Sequence, residues 1–382
     1  MSGDTENPSR PLTVTVFDVG HGDSILIEFP DGEHVGIVDC RACVGTNRAA
    51  FREASDASEP KVLTYLRQRA KAHHRTTVAF LCISHYHFDH FEGSMTLVAG
   101  LAEAGIQIQE FWDTGLSKGK ASAMAALSEV VPTKEVELRE LQGLFRLLRT
   151  LRRVGLRYRA LVEPRAGMCR VAGVRVDAIG PDADHWNGYN RYLDARRSSR
   201  RGGEGGGGNE HLVCSGLMLT YGKARMILGG DLTCAGWRRV VANHHGRPLR
   251  SHAVKASHHG SRQGNFLSLG GLTPQSLWPR LSYRGYTKAL ISGGYRSGLP
   301  HVETVHELRR LGVDAYCTGD WTARVEADDS LFLSMPRDAA QQLRVDSYPV
   351  VDRPSSYHGD IRVKMCREGM IEVTPEFVLP VL

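Results

Sequence analysis

The sequence has no stretch of about 18 uninterrupted apolar residues, which removes the usual signature of a membrane-crossing helix. Its start, MSGDTENPSRP, is polar where a secretory signal needs a basic end and an apolar middle. Both absences read as a cytoplasmic protein. There are only eight cysteines in 382 residues, dispersed along the chain, so reduced thiols are expected rather than a disulfide framework. Cys40 and Cys43 form a C-x-x-C, but no second pair completes a zinc site. No repeat of fixed period is present. What remains is an ordinary globular composition, 41% hydrophobic, with a mildly basic net charge of +6 that leans towards anionic partners.

Thr13 to Val19 alternates as a half-buried strand and breaks at Gly20-His21-Gly22-Asp23. Two further runs, Ile25 to Phe29 and Val35 to Val38, are joined by Asp31-Gly32 and end at Asp39, so the chain opens with a β-meander. Helical periodicity covers residues 59 to 73, about 90 to 104 and about 135 to 154. The last of these sets Leu141, Leu144, Leu148 and Leu151 on one face, with arginines elsewhere around it. A core-packed helix with a solvated face and a ridge for nucleic acid are both open readings.

Residues 186–209 are expected to be a flexible insertion. From Gly188 to Asn209 glycine and arginine replace any apolar period, and Arg196, Arg197, Arg200 and Arg201 either keep it soluble or meet phosphates. Strands are expected at Leu212 to Leu219, Ala224 to Leu228, His252 to Ala256 and Ala289 to Ser292, then a helix at 301–312 and a strand at Val313 to Cys317. Short strands near Ile361 to Val363 and Met370 to Val373 close the chain. The expected organisation is a flexible leader at 1–11, one main domain at 12–329, and a C-terminal extension at 330–382.

The segment ISHYHFDHFEG, residues 83–93, follows the apolar run 78–83. In an extended chain, residues i and i+2 point the same way, so His85 and His87 can aim at one point. Asp89 and His90, where the chain should turn into a helix, can aim at a second point close by, as a two-metal centre requires. With 17 histidines in the chain, a chance H-x-H-x-D-H has a probability on the order of one in a few hundred. Imidazole with carboxylate suits zinc, manganese or iron.

This motif, about forty residues after a meander ending in Asp39, resembles that of the metallo-β-lactamase fold, and most nearly the hydrolase domain of the ComEC/Rec2 DNA-uptake proteins. "FDVGHGDSILIEF" resembles that group's opening D-V-G-x-G-D strand pair, and "NEHLVCSGLMLTYGKARMILGGDLT", "VKASHHGS", "ALISGG" and "GLPHVETVHELRRLGVDAYCTGD" resemble its later segments, in order and spacing over roughly residues 12 to 320. The resemblance implies an α/β fold, a four-layer αββα sandwich, with two divalent metal ions, zinc or manganese. It assigns His85 and His87 to the first metal, Asp89 and His90 to the second, and Asp231 as the bridge. His258, as the first of the His258-His259 pair, would complete the second site, and His211 would restore a third histidine to the first. Asp39 would orient a ligand imidazole. Candidates for a helper group near a leaving oxygen are His259, His301 and Lys255.

The implied reaction is hydrolysis by metal-activated hydroxide, with DNA rather than RNA as the favoured substrate. Alternatives are a small phosphodiester, a cyclic nucleotide or a lactone, or a non-catalytic binding subunit. A regulatory protein docking through the tail from residue 330 is the expected partner besides nucleic acid.

Overall fold

The computed structural model describes residues 10–42, 59–72, 75–115, 135–198, 210–244, 249–268, 274–293, 299–319 and 359–374. The chain begins with β1 (Leu12–Val16), β2 (Ser24–Glu28) and β3 (His34–Cys40), an antiparallel meander. Helix α1 (Lys61–Ala72) crosses to β4 (Thr77–Cys82), which lies parallel to β3. Then come α2 (Phe88–Phe91), α3 (Ser94–Glu103), β5 (Gln107–Ile108), β6 (Glu110–Asp113), α4 (Glu135–Arg153) and β7 (Arg157–Ala160).

The second half repeats the layout. It runs β8 (Arg165–Val171), β9 (Val174–Ala178), α5 (Ala183–Ser198), β10 (Leu217–Tyr221), β11 (Ala224–Leu228), α6 (Cys234–Asn243) and β12 (Ala253–Lys255). After α7 (Arg262–Asn265), β13 (Phe266–Ser268), β14 (Gln275–Ser276) and α8 (Trp278–Leu281) it ends with β15 (Lys288–Ile291), α9 (Val302–Arg310) and β16 (Asp314–Cys317). Finally β17 (Ile361–Met365) and β18 (Ile371–Thr374) form a hairpin.

Two large sheets result, ordered β18-β17-β1-β2-β3-β4-β6-β7 and β16-β15-β12-β11-β10-β9-β8. The alternation of strand residues explains how they stack. Ile25 and Ile27 of β2 and Met226 and Leu228 of β11 enter a core between the sheets, whereas Leu26 and Ile227 point to opposite outer faces. The first outer face is covered by Val62 and Leu66 of α1, Leu97 and Leu101 of α3, and Leu141, Leu144 and Leu148 of α4. The second is covered by Trp237 of α6, Trp278 of α8 and Leu308 of α9. Three cores separating helices, sheet, sheet and helices make a four-layer αββα sandwich, the fold class expected.

Three expectations change. Residues 188–198 continue a helix that begins at Ala183 instead of forming a loop. Asp182 accepts the His185 N–H and so caps its start, while Trp186 and Tyr189 pack against the first outer core. Two anchoring aromatics and a cap replace the apolar stripe that the sequence lacks there. The strand expected from Leu212 begins only at Leu217, because residues 210–213 form a 3-10 turn. Third, β17 lies within the first sheet, antiparallel to β1, and Ile361, Val363 and Met365 are fully buried between the sheets. Residues 1–9, 199–209 and 320–358, with Cys43, lie outside the described residues, as do the side chains of Arg196 and Arg197. Among the described residues no helix is long and apolar enough to cross a membrane.

Candidate metal centre

The loops at one end of the parallel strands meet over the junction of the two sheets. Beyond β4, Ile83 N–H donates to Trp112 O and Ser84 N–H to Asp39 Oδ1 (2.7 Å), so the chain stays extended through His85 and His87. His87 is the residue before α2, and that short helix turns Asp89 and His90 back over the same point. From the other side, Ser215 N–H donates to Ser84 O, and the turn after β11 presents Asp231, whose N–H is held by the Cys214 thiol at 3.0 Å. The β1–β2 loop closes in because Gly22 has φ +139°; a Cβ there would stand 2.3 Å from Asp89 O. Asp23 N–H bonds that same carbonyl at 3.1 Å.

Among the described residues four non-glycine positions have φ in the left-handed region, and three of them, Asp39, His258 and His259, are here. Such strain costs on the order of 1–3 kcal/mol each and persists where the surroundings dictate it.

The donor atoms fall into overlapping groups, each within 4.8 Å: His85, His87 and His211; His21, Asp89 and His259; His85, His90 and Asp231; His211, Asp231 and His258. Hydrogen bonds fix the imidazoles. His259 Nδ1 lies 2.9 Å from Ser292 O, which can only accept, so its proton is on Nδ1. His90 Nδ1 lies 2.7 Å from Asp39 Oδ2, which also takes the Ser84 hydroxyl at 2.7 Å. The remaining nitrogens then present lone pairs to carboxylate oxygens: His259 Nε2 to Asp89 Oδ2 at 3.3 Å, and His90 Nε2 to Asp231 Oδ1 at 3.4 Å.

These two nitrogens, His85 Nε2 and Asp231 Oδ1 are buried and have no hydrogen-bond partner. Acceptors facing acceptors are unfavourable unless a proton or a cation lies between them, and buried unpartnered polar atoms are rare. The protein's own electrostatics agree. Burial works against a charged His90, but Asp231, Asp39 and Asp89 outweigh it and hold the imidazole well above its ordinary range. Burial and neighbouring imidazoles push His85 well down and His211 to about 3, which keeps both neutral and ready to ligate. The donor set fits divalent cations.

The expected ligands thus converge, with one difference in the pair after β12. His258 was the expected partner of Asp89; instead His259 reaches Asp89, while the His258 ring lies 4.4 Å from that of His211 and its Nε2 3.8 Å from Asp231 Oδ2. Consecutive left-handed residues turn the two rings apart, to 73° and 6.3 Å, which no spacing rule anticipates. Asp39 contacts His90 as an orienting carboxylate would. His301 precedes α9, accepts the Arg262 N–H on Nδ1 and is in none of these groups. Lys255 is fully buried beneath the site and binds Asp23.

Sequence reasoning missed His21, Asp23 and Ser292. His21 Nε2 stands 3.2 Å from Asp89 Oδ2, and Asp23 accepts both the Lys255 ammonium and the Ser292 hydroxyl. The Gly20–Asp23 break reads as a turn and as part of the resembling opening segment, with no site role given to the histidine between its two glycines or to the aspartate that follows them.

Asp39 gives a direct test of the positioning. All three of its partners, Ser84 N–H, Ser84 Oγ–H and His90 Nδ1–H, are donors. Asp39→Asn sets an amide N–H against one of them, and metal affinity, read by competition with a chelating dye, is expected to fall about 10–100-fold.

The structure therefore defines an αββα sandwich with a His/Asp cluster suited to divalent cations at one end of its sheets. Two solved structures similar to this chain are the metallo-β-lactamase fold protein YhfI from Bacillus subtilis and Tm1679, a metal-dependent hydrolase of the β-lactamase superfamily. The first is 10% identical with a TM-score of 0.34, over 80% of this chain and 96% of its own. The second is 11% identical with a TM-score of 0.34, over 81% and 95%. The sequence matches no family model and no curated protein.

Proposed function

We propose that the protein is a metal-dependent hydrolase of nucleic-acid phosphodiester bonds, acting on DNA before RNA. His85, His87 and His211 would hold one divalent cation, Asp89, His90 and His259 a second, and Asp231 would stand between them. The observation that carries this reading is the set of buried imidazole lone pairs turned on Asp89 and Asp231 with their tautomers already fixed. Bound cations, zinc or manganese, would supply a nucleophilic water at neutral pH and a Lewis acid for the phosphoryl oxygens.

The chain's own groups prepare that chemistry. Asp39 and Ser292 hold His90 and His259 in the tautomer that frees Nε2. Asp23, through the Ser292 hydroxyl, and Lys255 beneath it keep this second layer in place. His258, a fifth exposed where His259 is fully buried, would be the member of the pair nearer a substrate or leaving oxygen. The choice of a nucleic acid is supported by the ComEC-like motifs, the +6 charge and the arginines of α4.

The test is cleavage of labelled linear and circular DNA with manganese, magnesium or zinc, beside Asp89→Ala and His87→Ala. Cutting by the parent that vanishes in both variants is the expected result. A site filled with metal that cuts no polymer sinks the nuclease reading and directs the search to small phosphodiesters, cyclic nucleotides and lactones.

A further inference from the structure

Helix α4 and the strand after it carry a second feature that the metal centre does not use. Between Leu141 and Val162 there is no aspartate or glutamate, and residues 146–159 hold six arginines. The helix spends its apolar face, Leu141, Leu144, Phe145 and Leu148, on the first outer core. Arg146, Arg149 and Arg153 are exposed and recur at i, i+3 and i+7, one row on the opposite face spanning about 10 Å. None of these three has an ion-pair partner among the described residues.

Away from the row, Arg152 has its guanidinium 5.0 Å from the centre of the Tyr158 ring, and β7 carries Arg157. Arg157 stays two-thirds exposed, although it shares the buried Glu110 with Arg159. The row begins one residue after Phe145, whose ring centre lies 5.5 Å from that of Tyr86, the residue between His85 and His87. One end of the row is therefore close to the segment that carries the candidate ligands.

We infer that this face is a binding track for the phosphodiester backbone of a nucleic-acid strand, outside the metal centre. The inference rests on the nuclease reading for its meaning but not for its test. The exposed guanidiniums of Arg146, Arg149 and Arg153, without counter-charges among the described residues, match a chain of phosphates, to which each can offer paired N–H donors. A lipid surface would need an apolar face beside the charge, and in α4 that face is already buried.

The experiment compares the metal-loaded full chain with Arg146→Ala/Arg149→Ala/Arg153→Ala. Binding of a fluorescent phosphorothioate single strand of about 30 nucleotides, which keeps its charge and resists hydrolysis, is followed by anisotropy over a range of salt. The triple variant is expected to bind at least about tenfold more weakly, with the slope of log K against log salt reduced by about 2, near 0.7 for each lost contact. Its hydrolysis of bis(4-nitrophenyl) phosphate and its melting temperature should match the parent's, since the three side chains are exposed. Equal strand affinity and slope in parent and variant, beside intact diester hydrolysis, overturn the track and leave the nuclease reading standing. Arginine-dependent binding by a protein that hydrolyses no diester retains the track and removes the nuclease reading.

Discussion

Asp231→Asn is expected to empty the metal centre and lower hydrolysis by three orders of magnitude or more. The carboxylate is almost wholly buried, and five imidazoles surround it. His85, His258, His259 and His211 stand 3.9, 3.8, 3.7 and 4.0 Å from Oδ2, and His90 is 3.4 Å from Oδ1. Burial alone would raise its carboxyl, but His259, His90 and His85 hold it well below the ordinary range. Among the described residues Asp231 belongs to two of the donor groups, one with His85 and His90 and one with His211 and His258. Asparagine keeps the volume and removes the charge, so packing should survive while cation binding does not. Metal analysis should show the content of both groups falling together, and several kcal/mol of lost transition-state stabilisation corresponds to about 10³-fold or more in rate. A variant that keeps half its metal and a tenth of its activity would show that Asp231 does not join the two groups.

Asp23→Asn is expected to be the most destabilising single change beneath the site, at about 3–5 kcal/mol, because it leaves a buried ammonium without its counter-charge. Lys255 is fully buried, and its salt bridge is to Asp23. Burial pushes the Asp23 carboxyl up and the Lys255 ammonium down, yet the pair's mutual attraction reverses both, leaving Asp23 lowered and Lys255 raised. The sign of the pH dependence follows. A lowered carboxyl stabilises the fold above its unfolded value of 3.8 and loses that contribution as pH falls through the folded value. A raised ammonium stabilises below 10.5 and loses its contribution above. The gap between parent and variant in urea unfolding should be flat through neutral pH and close in acid. Asp23→Asn/Lys255→Met should recover much of the loss; a double variant as unstable as the sum of the singles would mean the two groups act independently.

The reach of sequence reasoning differs from one part of the site to another for physical reasons. His85, His87, Asp89 and His90 are legible because strand alternation followed by one helical turn is a local geometry with a known period. Asp231 and His211 come from separate strands and turns, and only the order of motifs suggested them. The roles of His258 and His259 depend on two left-handed backbone conformations, which neither residue type favours and which the surrounding packing imposes. Asp23 and Lys255 are 232 residues apart, and no local pattern joins them. Among the elements, the strands of the parallel core announced themselves by apolar runs. Helix α5 did not, since a cap at Asp182 and two aromatics on one side do the work of a stripe.

The place of β17 sets an order of events during synthesis. Asp360, at the start of that strand, takes the N–H of Asp18 across 342 residues and is paired to Lys61, fastening the segment that leads into His21 and Asp23. A growing chain displays its candidate ligand histidines long before this clasp exists, while β1 still has an open edge. The strand that pairs with β1 follows the ligand-bearing segments by more than a hundred residues, so the site-bearing sheet closes on its first strand only after β12 and β15 have been made.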